Sequence, residues 1–125
     1  IDLTGTGQAP EIAVEDDASA NIADGGSKSF GSVNVATGAP LTFTIKNTGS
    51  ANLTKLAIST DGKQKKDFII GPLGKTTLAQ GNSTTFTVTF KPTAKGVRNA
   101  AIHIMSNDAD ENPFDIKLSG TGVKP

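Results

Sequence analysis

The stretch Ser83-Thr84-Thr85-Phe86-Thr87-Val88-Thr89-Phe90 decides the fold of this chain. Within it, Phe86, Val88 and Phe90 alternate strictly with threonines. Because a β-strand sends successive side chains to opposite faces, the segment has one apolar face and one hydroxyl-bearing face. Such an apolar face has to be buried against a second layer of structure. The stretch therefore predicts a core strand of a layered β-domain.

The same alternation recurs in short segments on both sides of this strand. Gly, Pro, Asn and Asp separate these segments, and no segment has helical periodicity. We therefore predict an all-β fold, an immunoglobulin-like sandwich of two antiparallel sheets with about seven to nine strands. Strand parity assigns the following residues to its core: Phe30, Leu41, Phe43, Ile45, Leu56, Ile58, Phe68, Ile70, Phe86, Val88, Phe90, Ile102, Ile104, Phe114, Ile116 and Leu118.

Composition argues against several classes of function. The 125 residues suffice for one domain with one core. Twelve basic residues balance twelve acidic ones, so the attraction that dominates nucleic-acid binding is missing. The absence of Cys and the presence of a single His rule out disulfides, thiolate metal sites and multi-His metal centres. The lack of Trp and Tyr argues against lectin-like or antibody-like recognition. We expect an isolated domain that is monomeric, without cofactor, nucleic-acid partner or membrane insertion.

A repeated segment suggests how the chain is divided. Ile1-Asp2-Leu3-Thr4-Gly5-Thr6-Gly7 matches Ile116-Lys117-Leu118-Ser119-Gly120-Thr121-Gly122 at five of seven positions, at a spacing of 115 residues. Similarity at a domain-sized spacing is typical of tandem arrays. We therefore predict that residues 1–8 are the last strand of a preceding copy or a linker, that residues 9–122 form the sandwich, and that residues 123–125 begin the next linker. Neighbouring copies would then be the partners of this domain.

Several segments, taken in order, resemble a known family. They are Phe30-Gly31-Ser32-Val33, Ile45 to Leu53, Leu78-Ala79-Gln80-Gly81, Phe90-Lys91-Pro92, Ser106-Asn107-Asp108, and Asn112 to Gly122. Together they resemble the choice-of-anchor D type of bacterial surface-protein domain, a relative of the ASH-type and major-sperm-protein domains. The segment Lys63–Lys66 departs from that pattern. The resemblance implies an immunoglobulin-like sandwich, often repeated, in extracellular or cell-surface proteins, and no catalytic residues.

Two acidic segments are candidate metal sites. Asn107, Asp108, Asp110 and Glu111 gather on one predicted hairpin loop, and Ca²⁺ prefers such oxygen ligands. The alternative is that the Asn107 and Asp108 side chains bond backbone N–H groups of the loop. A second acidic cluster comprises Glu15-Asp16-Asp17, with Asp24 as a further member. Its spacing does not favour a cation cage over a solvated loop.

His103 is the one candidate for a catalytic base. Its parity is opposite to that of Ile102 and Ile104, which predicts a position on the outer surface of a sheet. A Ser–His–Asp triad would need a nucleophile beside it, and the sequence shows no nucleophile elbow. Paired carboxylates in the Asp108–Glu111 loop could in principle do acid–base chemistry, but a compact sandwich offers no evident cleft for a substrate.

Three functions follow, in decreasing order of support. The first is a non-catalytic spacer module in a tandem array outside the cell. The second is an adhesin-like or scaffolding module that binds protein partners through an exposed sheet edge. The third is a hydrolase that uses His103 or the Asp108–Glu111 loop. Lys63–Lys66 is interpreted as a solvated loop tip, although it could contact an acidic partner.

Overall fold

The computed structural model describes residues 9–108 and 113–124, and within them the chain forms two packed β-sheets. A one-turn 3-10 helix, Lys65–Asp67, lies between the fifth and sixth strands. The prediction of an all-β, immunoglobulin-like sandwich with seven to nine strands is confirmed. The strands are β1 (Ile12–Glu15), β2 (Asn21–Ile22), β3 (Gly26–Asn34), β4 (Ala39–Asn47), β5 (Ala57–Asp61), β6 (Phe68–Ile70), β7 (Ser83–Phe90), β8 (Gly96–Met105) and β9 (Phe114–Val123).

One sheet has the order β2-β1-β4-β7-β6 and the other the order β3-β9-β8-β5. All neighbouring strands are antiparallel except β3 and β9, which run parallel from Gly26 beside Ile116 to Asn34 beside Val123. The predicted antiparallel arrangement therefore holds at every other pair, and β3 with β9 is the exception. Strand direction here depends on how the chain crosses from β2 to the other sheet, and side-chain alternation carries no information about that crossing.

Stacked phenylalanines fill the centre of the sandwich. The pairing of β4 with β7 puts Phe43 opposite Phe86, with ring centroids 5.3 Å apart, and that of β6 with β7 puts Phe68 opposite Phe90 at 4.8 Å. Phe30 reaches them from β3, with its ring 5.5 Å from that of Phe68. Aromatic pairs of this kind stabilise a fold by about 0.5–1.5 kcal/mol each beyond the burial of their area.

Every residue that strand parity assigned to the core is either buried in it or partly buried and packed against it. Leu53 is also fully buried, but it lies in an isolated bridge with Leu78 and outside β5. A left-handed backbone at Lys55, with φ of 60°, separates that bridge from the strand. The other core residues that the parity argument missed are Ile12, Val14, Ile22, Leu78 and Ala100.

The second half of β9 passes close to the neighbouring sheet and requires two glycines. A Cβ atom at Gly120 would collide with the ring of Phe90. A Cβ atom at Gly122 would collide with the carbonyl oxygen of Ala94 and would lie 2.9 Å from Cβ of Pro92. The Gly-Thr-Gly sequence is therefore needed for packing, because any side chain at either glycine would push β9 away from the core.

The described chain starts at one end of the sandwich and leaves at the other. The first residue of β1, Ile12, donates its N–H to the carboxylate of Asp108 in the connection that precedes β9. The last residue of β9, Val123, lies at the far end of that strand, where its carbonyl accepts the N–H of Val35. Nine steps of about 3.3 Å along a strand give a separation of roughly 30 Å. We call these the N-terminal end and the C-terminal end.

Asn47 fixes the chain at the N-terminal end. Its side chain is 1% exposed and makes four hydrogen bonds. The amide oxygen accepts the N–H groups of Glu11 and Gly49, and the amide nitrogen donates to the carbonyls of Ala51 and Leu78. One buried amide thus satisfies the backbone of three separate loops and holds the segment before β1 in place.

Candidate functional sites

The connection between β8 and β9 contains the predicted calcium ligands. Asp108 is 2% exposed, and its carboxylate accepts the N–H of Ile12 at 3.0 Å. Asn107 points elsewhere, accepting the N–H of Thr54 at 2.8 Å and donating to the carbonyl of Asn52 at 3.1 Å. Both side chains accept backbone N–H groups, as in the alternative to a metal site, but those groups belong to two distant segments and not to the loop itself.

The other two predicted ligands, Asp110 and Glu111, lie outside the described residues. Among residues 9–108 and 113–124, no group of three or more His, Asp or Glu side chains could hold a metal ion. The calcium site stays a prediction. Because Asp108 has a structural role, a substitution at Asp108 cannot by itself test for the metal.

We expect excess Ca²⁺ and excess chelator to give the same melting temperature, because Asp108 already has a backbone partner. A cation at 100 times its dissociation constant would stabilise the fold by ~2.7 kcal/mol, which corresponds to several degrees. Asp110→Asn is the matched probe, because Asp108→Ala removes the acceptor for Ile12 and costs about 1–3 kcal/mol with or without the ion. A calcium-dependent rise in melting temperature that Asp110→Asn abolishes would establish the metal site.

The second acidic cluster does not form a single site, since Asp16 and Asp17 share Lys28 while Glu15 and Asp24 have other partners. Glu15 pairs with Lys46 at 2.9 Å, and Asp17 pairs with Lys28 at 2.9 Å. Asp24 lies apart from them and accepts the N–H of Asp115 at 2.8 Å. The carboxylates are thus distributed among lysines and backbone groups, an arrangement that suits a surface loop better than a cation cage.

Asp16 organises the turn after β1. One carboxylate oxygen accepts the N–H groups of Ala18 and Ala20, each at 2.9 Å, and the other pairs with Lys28 at 3.1 Å. The hydrogen bond from Ala20, followed by those from Lys28 and Ala18, lowers the pKa of Asp16 below its ordinary value. Asp16 therefore acts as a structural acceptor that closes the loop between β1 and β2.

His103 lies on the outer face of its sheet, where its parity predicted it, and it is flanked by two aspartates. Its Nδ1 is 2.6 Å from Asp115 on β9, and its Nε2 is 2.9 Å from Asp61 on β5. Both ring nitrogens thus face carboxylate oxygens, an arrangement that suits the doubly protonated imidazolium. The hydrogen bond to Asp115, and then that to Asp61, raises the pKa of His103 above its ordinary value against the smaller effect of partial burial.

This geometry does not support a Ser–His–Asp triad. A catalytic base needs one nitrogen free to take the proton of the nucleophile, while the other is held by the carboxylate. Here carboxylate oxygens face both ring nitrogens, and the hydrogen bonds to them raise the pKa of His103 and so favour the imidazolium over the neutral base. The arrangement is a cross-strand ion cluster that ties β5, β8 and β9 together.

His103 should make stability depend on pH in one direction. Because its pKa is higher in the folded chain, its contribution is complete below the unfolded pKa of about 6.5 and is lost as pH rises through the folded pKa. We expect His103→Gln to cost about 0.2–1 kcal/mol per partner at pH 5 and less at high pH, since both aspartates are partly exposed.

Denaturant unfolding at several pH values would measure this dependence, and NMR titration of the single histidine would locate the folded pKa directly. Asp115→Asn is the matched control and should move that pKa towards its ordinary value. An unshifted histidine pKa in the unmodified chain would contradict the paired geometry.

Asp67 is a buried carboxylate that the sequence pattern did not single out. Asp67 is 1% exposed. It pairs with Nε of Arg98 at 2.7 Å and accepts both the hydroxyl and the backbone N–H of Thr93, at 2.9 and 3.2 Å. Burial alone raises the pKa of Asp67, but Arg98 and then Thr93 outweigh it and hold the pKa below its ordinary value. The cluster joins the 3-10 helix to the turn between β7 and β8.

Lys63–Lys66 is only partly a free loop tip. Its three lysines are exposed, but Gln64 pairs with β8 through its backbone N–H and through its side-chain oxygen, which accepts the N–H of Asn99 at 2.8 Å. The segment therefore pairs with β8 through Gln64, and its three lysines are exposed to solvent.

The sequence profile of the family described as Cep192 domain 4 matches residues 24–123, most of the chain and all of β3 to β9. The chain belongs to the Cep192 domain 4 family. No curated protein matches it. This membership agrees with the resemblance to ASH-type domains, while the narrower choice-of-anchor D assignment stays a prediction.

Solved structures share the fold of this Cep192 domain 4 family member. A protein of unknown function from Porphyromonas gingivalis W83 superposes with a TM-score of 0.71 at 15% identity, over 95% of this chain and 50% of its own. The PapD-like domain 7 of human CEP192, an ASH domain, superposes with a TM-score of 0.62 at 14% identity, over 90% of this chain and 86% of its own. The CARDB domain of PF1109 from Pyrococcus furiosus superposes with a TM-score of 0.62 at 15% identity, over 94% of this chain and 99% of its own. The chain thus spans half the length of the Porphyromonas protein.

The free strand edges of this Cep192 domain 4 family member bear on the adhesin hypothesis. The longest edge strand, β3, is broken by a register shift between Ser29 and Ser32, a feature that discourages addition of a further strand. Between the edge strands β5 and β6, Ile58, Ile70 and Leu73 line an apolar groove of about 430 Å³. Binding through an edge stays a prediction. Within the described residues, no helix is long and apolar enough to cross a membrane.

Proposed function

We propose that this domain is a non-catalytic structural module, one copy of a head-to-tail array of the choice-of-anchor D type in a large exported or cell-surface protein. Family membership and the immunoglobulin-like fold support the general class of module. The repeat at the start of the chain, interpreted with the burial pattern of β9, supports the array.

The proposal rests on one observation: the inward-facing positions of the repeat are identical in its two occurrences. In β9 the inward-facing positions of the repeat are Ile116, Leu118, Gly120 and Gly122, and all four recur at residues 1, 3, 5 and 7. The two positions that differ, 117 and 119, lie on the outer face. A chance match between two Gly-rich turns would not select the buried positions of a strand.

The two glycines strengthen this interpretation. Gly120 and Gly122 are required because β9 passes against the ring of Phe90 and the turn at Ala94. Gly5 and Gly7 repeat that pair at the same spacing after an identical Ile-x-Leu. They suit the last strand of another copy, in which the strand meets an equivalent aromatic ring and turn.

The path of the chain also suits a spacer. The described chain begins at the N-terminal end and leaves about 30 Å away at the C-terminal end, so copies joined in series would extend. Each copy would add its full length to the array. A spacer needs this geometry and needs no cleft, nucleophile or cofactor.

The experiment that tests the proposal converts β9 into the sequence of residues 1–7. Lys117→Asp together with Ser119→Thr makes that change, and both sites lie on the outer face. We expect the free energy of unfolding to change by no more than about 0.5 kcal/mol, as is usual for surface substitutions. The matched control, Leu118→Asp with Gly120→Thr, puts the same two residue types on the inner face and should prevent folding.

Deletion of residues 1–8 completes the test. If they are the last strand of another copy, their removal should leave the free energy of unfolding within about 0.5 kcal/mol of the parent value. A loss above about 2 kcal/mol would make this segment an integral strand of the present domain. A loss of that size from the Lys117→Asp, Ser119→Thr variant would equally contradict the proposal.

A further inference from the structure

A surface at the C-terminal end combines positive charge with exposed apolar side chains. Two adjoining clefts of about 410 and 420 Å³ share Val35 in their lining. Four lysines surround them, and no carboxylate lines either one. We call this the lysine surface; it comprises Lys66, Lys91, Lys95 and Lys124 around Val35, Ala36, Ile69 and Pro92.

The most exposed large apolar residues lie at this same end. Ile69 is 51% exposed and lines one of the two clefts. Val97 is 65% exposed and lies at the start of β8, beside Thr121 near the end of β9. Asp67 is the nearby acidic residue of the 3-10 helix, but it is buried against Arg98 and neutralises none of the exposed lysines. Apolar groups exposed within a rim of polar residues suit a surface that another molecule covers.

The N-terminal end carries the opposite charge near the start of β1. Glu11 and Asp24 line a cleft of about 270 Å³ with Ile12, Ile22 and Phe114. No lysine among the described residues lines this cleft, so Glu11 and Asp24 are its charged groups. Lys55 and Lys75 also lie at this end, beyond Leu53 and Thr84 and away from the cleft. The two ends are therefore complementary where the chain passes from one copy to the next.

The length of the junction brings these two ends together. The 115-residue correspondence continues past Gly7, so that Gln8 corresponds to Val123 and Ala9 to Lys124. Val123 is still bonded in its sheet, through Val35. Ala9 is already bound in the next copy, donating its N–H to the hydroxyl of Ser50 and accepting the N–H of Ser50 at 2.9 Å. Adjacent Cα atoms are 3.8 Å apart, so no flexible linker separates the copies.

We propose that consecutive copies dock end to end, with the lysine surface of one copy on the acidic N-terminal end of the next. This inference rests on the proposed array and names the partner and the surface. Because the junction holds the two ends in contact, their effective concentration is high and weak charge pairs suffice to fix their orientation. The same pairs are screened by salt, with a Debye length of about 3 Å at 1 M.

A two-copy chain tests the docking directly. Residues 1–125 followed by residues 11–125 keep Lys124 and the length of the junction, because Lys124 and Pro125 correspond to Ala9 and Pro10. Labelling one copy at a time lets NMR relaxation report the tumbling of each. We expect both copies to tumble together at low salt, with a rotational correlation time roughly twice that of the single domain, and to move independently in 1 M salt.

Charge reversal in the first copy gives the matched comparison. Lys66→Glu with Lys91→Glu changes the docked lysine surface, and we expect it to free the two copies at low salt. Lys55→Glu with Lys75→Glu makes the same change of charge at the N-terminal end of the first copy, which faces no other copy. We expect this variant to leave the two copies coupled.

The outcomes separate the two proposals. Two copies that both fold but tumble independently at low salt would overturn the docking and leave the array intact. Equal effects of the two charge reversals would also overturn it. A second copy that does not fold at this junction would instead overturn the assignment of residues 1–8 to a preceding copy.

Discussion

Phe86→Ala should cost about 3–5 kcal/mol of folding free energy, the range for truncation of a large buried aromatic side chain. Phe86 is 2% exposed at the middle of β7, between β4 and β6, and its ring stacks on Phe43 at 5.3 Å. The substitution would remove that contact and leave a cavity between the sheets that a sandwich cannot close without moving β7. Urea or guanidinium unfolding of the variant would measure the loss.

Thr85→Ala is the matched control for this substitution. Thr85 is the preceding residue of the same strand and is exposed on the opposite face. Its truncation should change the free energy of unfolding by no more than about 0.5 kcal/mol. His103→Ala should also cost far less than Phe86→Ala, because the ring lies on an outer face and pairs with partly exposed aspartates. Similar losses from all three would mean that strand parity does not decide burial here.

Asp67→Ala should cost about 3–5 kcal/mol as well, for an electrostatic reason. The substitution leaves Arg98 without its partner in a partly buried position and leaves the N–H and hydroxyl of Thr93 without their acceptor. Breaking a buried ion pair by removing one partner usually costs this much. Because the folded pKa of Asp67 is lowered, its contribution is present above the unfolded pKa of about 3.9 and is lost as pH falls through the folded value.

Unfolding of Asp67→Ala between pH 3 and pH 7 would measure both effects. The double variant Asp67→Leu, Arg98→Met should lose less than Asp67→Ala, because it removes both charges together. Lys65→Ala, an exposed change in the same 3-10 helix, should stay within about 0.5 kcal/mol. A loss below about 1 kcal/mol for Asp67→Ala would show that the cluster is solvated.

The Asp67 cluster also matters for the proposed docking. It fixes the 3-10 helix, which carries Lys66, to the turn that carries Lys91 and Lys95. One buried carboxylate therefore holds the two halves of the lysine surface in register. Charge reversal at Lys66 and Lys91 acts on the surface itself and leaves this cluster intact, which is why the docking test uses those residues.

Local alternation was enough to predict most of the core. Phe43, Phe86, Phe90 and Ile116 all lie on the inward parity of their strands, because the period of two is a property of the single strand. The same rule placed His103 on an outer face. It did not identify Leu53 or Leu78 as a pair, because that contact joins two loops and neither residue belongs to a regular strand.

The partners of the polar side chains could not be predicted in this way. Asp108 looked like a calcium ligand because oxygen atoms gather around it in sequence, yet its hydrogen bond goes to Ile12, 96 residues away. His103 finds Asp61 and Asp115 on two other strands, and Asp67 finds Arg98 across a turn. Each of these contacts depends on strand order and register, on which a local pattern gives no information.

By itself, the sequence determined the all-β class, the inward face of each main strand and the repeat at residues 1–7, since these depend on spacing along the chain. Only the tertiary structure decided the parallel pairing of β3 with β9 and the separation of the start of β1 from the end of β9. It also decided the position of the lysine surface and of the cleft lined by Glu11 and Asp24. The physical reason is that pairing between strands distant in sequence is fixed by how the whole core closes. In the same way, the need for glycine at positions 120 and 122 follows from the close approach of Phe90 and Ala94 in the folded chain.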